Sequence, residues 1–347
     1  MKPLTLKSGS VLVGVAAALL SCEIGIRVFD FARGRSSNAR AFWYWLYEQD
    51  PYMGHRGRAH ARASTGIDDI EHNAEGFRDD RDMAELERIK DRKLVICVGE
   101  SSTYGIGAGS NRQTYPAVLE GELRALSGDQ RWVVLNAGMP GYTSHEILEV
   151  INLRLMKLHP DIIVSMNLAN DHDFIARYLD GRQDYNFFPI RLAQRSSTAG
   201  NEILMRSSLF ALVASKIRVF ESDDLGGSMP ATVYDHATQR GVELYLDDLA
   251  MTELLASRRG AQLMMVDQPI DYRQHSSSEV ASFEAMRAEL AAFCRTSRCP
   301  LLEAHTALDW TGLQPQDDVH LGSLGYARLA KLLAPQILDA ARPSPLP

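Results

Sequence analysis

Residues 93–105 read KLVICVGESSTYG. The first six, Lys93 to Val98, make a short apolar run with charge at its start and Gly99 at its end, the pattern of a parallel strand buried on both faces. GESSTYG follows without a gap, so Ser101 stands just beyond the strand's carboxyl end, the edge of an α/β sheet where ligands bind. Working outward, periodicity predicts a helix over 115–126, a strand over 132–135 (WVVL), a helix over 144–158 and a strand over 161–166 (DIIVSM). Between about 174 and 234 no period is evident, and this stretch is expected to be an insertion. The alternation resumes with a helix over 237–258, a strand over 262–266, a helix over 278–294, a short strand at Leu301 and Leu302, and a last helix over 324–341. Strands alternating with helices are βαβ units. The expected fold is α/β: a flavodoxin-like three-layer α/β/α arrangement around a central five-stranded parallel sheet.

A serine at that edge is a weak nucleophile at neutral pH and needs a positioned base. Residues 317–320 (DDVH) supply a candidate, since Asp317 lies three residues ahead of His320 and can fold back to fix its tautomer. Acyl transfer also needs donors aimed at the developing oxyanion. Two loops at strand ends offer them: NAGMPGYTS at 136–144, where Gly141 lets a backbone N–H approach closely, and Ala169-Asn170-Asp171, where the Asn170 amide can donate. Ser and Gly after a strand occur in many α/β turns, and a lone DxxH arises by chance, so it is the combination that points to chemistry. Rival motifs fail on spacing. Gly105 and Gly107 are followed by Ser110 where a dinucleotide fingerprint needs glycine, and Thr103 occupies the last position of a G-x-S-x-G elbow. His172 between Asp171 and Asp173 reads as a polar loop, and the four cysteines lack zinc spacing, so neither metal nor cofactor is implied. Cys97 reads as a small core residue, while Cys294 and Cys299 bracket a short turn and could close a local disulfide on export.

The balance of 45% apolar and 23% charged residues is that of a chain folding in water, and a formal net charge of −7 argues against a nucleic-acid partner. The N-terminus departs from this average. After Lys2 and Lys7 comes an uncharged run from Ser8 to Cys22, extended through Ile24, Ile26, Val28, Phe29 and Phe31 to membrane-spanning length. Glu23 and Arg27, spaced i, i+4, can pair on one helix face. An uncleaved signal anchor over residues 1–35 is the preferred reading; a lipoprotein signal ending at Cys22 and a buried core helix are its rivals. Positive-inside counting sets Lys2, Lys7 and the amino terminus against Arg27, Arg33, Arg35 and Arg40, which by charge alone favours a cytoplasmic domain. Residues 36–92 are expected to form a membrane-proximal segment; its basic stretch with His55, Arg56, Arg58, His60 and Arg62 reads as a solvated loop, and NAEGFR at 73–78 as a turn. The catalytic domain is expected over 93–342.

Taken in order, Ser101, Gly141, Asn170 and His320 resemble the four signature residues of the SGNH (GDSL-like) hydrolase family, over roughly residues 92–341. The resemblance implies that Ser101 is the nucleophile and its N–H an oxyanion donor, that Gly141 and Asn170 complete the hole, and that Asp317 and His320 complete a triad. It further implies a serine esterase that hydrolyses an O-acyl, short-chain ester through an acyl-enzyme. The substrate would be a cell-envelope glycan, a lipid or a small molecule. Anchored members usually act outside the cytoplasm, so the domain is expected in the periplasm, tethered to the inner membrane by the N-terminal helix. The alternatives are an O-acyltransferase modifying a polysaccharide, and a catalytically silent glycan-binding scaffold with cell-envelope assembly partners. Two departures stand out. Glu100 replaces the usual Asp and keeps the carboxylate, and Leu168 replaces a Gly before Asn170, where its side chain is expected to narrow the acyl pocket or shift Asn170.

Overall fold

The computed structural model describes residues 5–33, 45–178, 207–216, 234–297, 299–313 and 315–341. Helix α1, Thr5–Ala32, comes first, followed by two antiparallel hairpins, β1 (Tyr47–Asp50) with β2 (Gly54–Gly57) and β3 (Arg62–Ser64) with β4 (Asp69–Glu71). After the short α2 (Met83–Arg88) the doubly wound unit begins. Its elements are β5 (Lys93–Gly99), α3 (Ser101–Tyr104), α4 (Tyr115–Ser127), β6 (Trp132–Gly138), α5 (Ser144–Val150), β7 (Ile162–Met166) and α6 (Ala169–Tyr178). Helix α7 (Ser208–Lys216) lies in the expected insertion, and the unit closes with α8 (Tyr234–Arg258), β8 (Gln262–Val266), α9 (Ser277–Ser297), β9 (Leu301–Leu302) and α10 (Gly322–Ala340).

The five strands pair in parallel in the order β6-β5-β7-β8-β9, so the first strand of the unit is interior, with β6 on one side and β7, β8 and β9 on the other. That is the expected flavodoxin-like sheet. Both faces of β5 are covered, which is why it reads as a continuous apolar run: Leu94, Ile96 and Val98 pack into one core, and Val95 and Cys97 into the other. The second core is closed by Leu119 and Leu123 of α4 and by Leu329, Leu333 and Ile337 of α10. The first is closed by Ile147 of α5, Tyr245 and Leu249 of α8, and Phe283 and Leu290 of α9.

Leu46, Tyr47, Met53, Ile70, Phe77 and Leu86 belong to that first core as well. The segment expected to be membrane-proximal is therefore packed onto the sheet, and its basic stretch runs from β2 of the first hairpin through the connection to β3 of the second, with Arg56, His60 and Arg62 exposed as a solvated stretch would have them. His55 is buried, and Arg56 pairs across the hairpin with Glu48 at 2.8 Å. The NAEGFR turn forms as expected, with Asn73 Oδ1 accepting the N–H groups of Glu75 and Phe77. The helix predicted over 144–158 is broken in pitch: α5 passes into a π-turn at Ile151–Leu155 and a 3-10 turn at Met156–Leu158, then ends at His159 with φ +49, next to Pro160. Cys294 and Cys299 are both buried thiols, not bridged.

Within α1, Val11–Ala32 is long and apolar enough to cross a bilayer, and its large apolar side chains, from Val11 and Leu12 through Leu19, Leu20 and Ile24 to Val28, Phe29 and Phe31, are exposed. A core helix would be buried, so that alternative is set aside. Glu23 and Arg27 pair at 2.7 Å as their spacing predicts.

Candidate active site

The site is assembled where β5, β6 and β7 end. Gly99 has φ +152, and a Cβ there would lie 2.2 Å from Met166 O, so only glycine lets the chain turn this sharply from β5 into α3. The turn presents Ser101 as the first residue of α3, where its N–H has no intrahelical acceptor. Ser101 Oγ lies 2.8 Å from His320 Nε2, and His320 Nδ1 lies 2.6 Å from Asp317 Oδ2. Asp317 Oδ1 accepts the N–H groups of His320 and Val319 at 2.8 and 3.1 Å, which folds the 317–320 turn back on itself. Burial tends to raise the Asp317 carboxyl, but the hydrogen bond and charge of His320, with those two N–H groups, hold it below the usual carboxylate value. It therefore stays ionised. Its acceptor position fixes the proton on Nδ1 and leaves Nε2 free to accept from the Ser101 hydroxyl. Ser102 Oγ donates to Val319 O at 2.8 Å, clamping the histidine turn against the serine helix.

The two expected donor loops meet here too. Gly141 adopts φ +82 in the turn after β6. Asn170, in the first turn of α6, donates one amide hydrogen to Tyr142 O at 2.9 Å, which fixes its orientation and leaves the second hydrogen for a ligand.

What holds these donors was not foreseen from motifs. The carboxylate of Glu100 accepts the N–H groups of Leu168, Ala169 and Asn170, so the residue before the serine caps the helix bearing Asn170. Burial, reinforced by the nearby Asp171, raises Glu100 to about 8 despite those three N–H groups. Asp171 accepts from Ser144 N and Oγ and from Asn167 Nδ2, tying α6 to the start of α5. The Gly141 turn is braced by His55, whose Nε2 lies 2.8 Å from Pro140 O and whose carbonyl accepts Tyr142 O–H at 2.6 Å. Burial lowers His55 to about 4, so the ring is neutral and its Nε2–H donates. In the sequence His55 was only one member of a basic stretch, and no local signal marked it. His172, read as part of a polar loop, stacks on Phe283 with ring centroids 3.7 Å apart and joins no metal cluster among the described residues.

One expectation is corrected. Leu168 does not face the acyl space: it is 0% exposed and belongs to the first core. Its backbone N–H points to Glu100, which turns the side chain into the layer beneath the helix start.

The model of the GDSL-like lipase/acylhydrolase family matches residues 97–328, more than half of the chain. No curated protein matches in sequence. Among solved structures, the lipase/acylhydrolase from Enterococcus faecalis is 15% identical, with a TM-score of 0.45 and coverage of 73% of this chain and 100% of that one. A GDSL-like lipase from Bacteroides thetaiotaomicron is 14% identical, with a TM-score of 0.43 and coverage of 74% and 94%. A variant of an acetyl-xylooligosaccharide esterase from Geobacillus is 13% identical, with a TM-score of 0.45 and coverage of 72% and 96%. The fold and the family match together define an SGNH-type hydrolase. The chain belongs to the GDSL-like lipase/acylhydrolase family and is an ester-hydrolysing enzyme.

Proposed function

We propose that Ser101 attacks the carbonyl carbon of an O-acyl ester, with His320 as general base and Asp317 as its orienting partner. The observation that carries this is the unbroken line Asp317–His320–Ser101 at 2.6 and 2.8 Å. As the Oγ–carbon bond forms, the hydroxyl proton passes to His320 Nε2, and Asp317 stabilises the imidazolium. The carbonyl oxygen, now an oxyanion, is held by the N–H groups of Ser101 and Gly141 and by the second amide hydrogen of Asn170. His320 returns the proton to the departing alcohol oxygen, leaving the acyl group on Ser101. Water then attacks the acyl-enzyme with His320 again as base, releasing the acid and restoring the serine. No cofactor enters this route.

The ester we favour is short-chain and sits on a hydrophilic carrier such as a cell-envelope glycan. The Asp317 side chain is 47% exposed, so the site opens toward solvent at the histidine turn, which suits an acyl group borne on a bulky carrier. The length and apolar composition of α1 support an anchor, and the family resemblance is what leads us to place it in the inner membrane with the catalytic domain in the periplasm.

The test is turnover of a chromogenic acetyl ester by the chain and by Ser101→Ala, with and without an added glycan acceptor. The variant should lose about 10⁴-fold or more in kcat while its melting temperature stays nearly unchanged. A serine-directed phosphonate should label Ser101 alone. Activity surviving in Ser101→Ala would remove the mechanism. Product accumulating on the glycan instead of as free acid would make the enzyme an acyltransferase using the same triad.

A further inference from the structure

One carboxylate joins two segments that lie far apart in the chain. Glu23 of α1 accepts Ser207 Oγ–H at 2.9 Å, Ser208 N–H at 2.9 Å and Leu209 N–H at 2.8 Å, and it also pairs with Arg27. It thus closes the N-terminus of α7, the helix SLFALVASK inside the insertion. Glu23 stands within the apolar span Val11–Ala32, nine residues before its end, about 13–14 Å along the axis at 1.5 Å per residue.

That depth gives the contact its meaning. In water, a hydrated carboxylate and the hydrated amides of a helix start gain little by meeting. In hydrocarbon each is costly alone, the carboxylate as an unpaired charge and the amides as orphan donors. Here they satisfy one another, with four donors on the two Glu23 oxygens. The composition of α7 agrees: Leu209, Phe210, Leu212 and Val213 lie within one nine-residue helix, and Val213 is 47% exposed. Nine residues span about 13–14 Å, too short to cross a core of roughly 30 Å but long enough to reach from its surface to the depth of Glu23.

We infer that α7 is a second membrane-seated element, docked on the anchor helix inside the bilayer, with lipid acyl chains as the partner of its outer face. The inference rests on the anchor reading proposed above. Its consequence is orientation. A single attachment leaves a catalytic domain free to rotate, whereas attachments before the domain and within it restrict how the sheet edge faces the membrane.

The test uses the full chain in phosphatidylcholine/phosphatidylglycerol vesicles, in a Cys22→Ser background because the other three cysteines are buried. Nitroxide labels on Val13→Cys, Val213→Cys and Met251→Cys, all exposed positions on α1, α7 and α8, are read for collision with oxygen against a water-soluble nickel chelate. The expected result is oxygen preference at 13 and 213 and nickel preference at 251. Nickel preference at 213 with oxygen preference at 13 overturns the inference and leaves the anchor standing. Nickel preference at 13 overturns both. Adding Glu23→Ala should abolish the oxygen preference at 213 and preserve it at 13, because only the docking contact is removed. Oxygen preference persisting at 213 in that variant would overturn the role given to Glu23.

Discussion

At the residue scale, Leu168 and His55 have roles opposite to those their chemical types suggest. Leu168 sits two positions before Asn170, the proposed oxyanion donor, but points into the core. Leu168→Gly should therefore cost about 3–5 kcal/mol in stability, from the cavity plus the added backbone freedom, measurable by urea denaturation. It should leave the ratio of kcat/KM across acetyl, butyryl and octanoyl esters unchanged. A profile shifted toward longer chains would return the side chain to the acyl space. His55, by contrast, lies outside any motif and still braces the Gly141 turn from both its ring and its carbonyl. His55→Ala should lower kcat by about 10- to 100-fold with little change in KM, because a slightly displaced donor weakens only the transition state. His55→Gln, whose amide can still donate to Pro140 O, should recover part of the loss. Equal losses in the two variants would mean that the packing of the imidazole ring itself, not the hydrogen bond to Pro140 O, is what matters.

At the element scale, the start of α6 is the junction on which the site depends. Glu100 accepts three of its N–H groups, and its carboxyl is raised to about 8, burial being the largest cause. A folded-state value above the unfolded one means the native chain holds a proton the unfolded chain has released. Stability is then fully present below the unfolded value and is lost as pH rises through the folded one. Asp171 and Glu146, raised to about 6 and about 7 by burial, act in the same direction over lower windows. His55, His72 and His305, lowered to about 4 by burial, act oppositely, adding stability as pH rises to their unfolded value near 6.5. Above about 6.5 the histidine contributions are complete, and above about 7 Glu100 dominates. The melting temperature should therefore fall between pH 6.5 and 8, and Glu100→Gln should flatten that slope. A flat profile in the parent chain would mean that Glu100 is ionised and fully satisfied by its three donors. Glu100→Gln should also lower kcat, since an amide NH₂ in place of Oε2 would oppose the Asn170 N–H.

At the scale of the whole molecule, the proposed anchor raises the question of which side of the membrane carries the sheet. Charge counting and family resemblance point in opposite directions, because Arg27, Arg33, Arg35 and Arg40 outnumber Lys2 and Lys7. A reporter fused after Pro347 should read as periplasmic in a Gram-negative host, with α1 retained and Cys22 free of lipid. A cytoplasmic reading would uphold the arginine count and redirect the substrate search to intracellular esters.

Much of this protein was legible in the residues alone, and for a definite reason. A strand covered on both faces must be apolar throughout, so KLVICV announced β5, and the strict alternation of strands and helices announced the winding of the sheet. The meeting of Ser101 with His320 was also legible, because motifs at successive strand ends of one parallel sheet converge on one edge. Local pattern could not say which way Leu168 points, because that depends on the Glu100 hydrogen bonds that set the pitch of the turn beneath it. Nor could it say that a histidine 85 residues before Pro140 braces the Gly141 turn, or that Glu23 closes a helix starting 185 residues later. Periodicity and motif report what one segment needs. Which distant segment meets that need is settled only when the cores pack, since burial is what makes an unpaired donor or carboxylate too costly to leave alone.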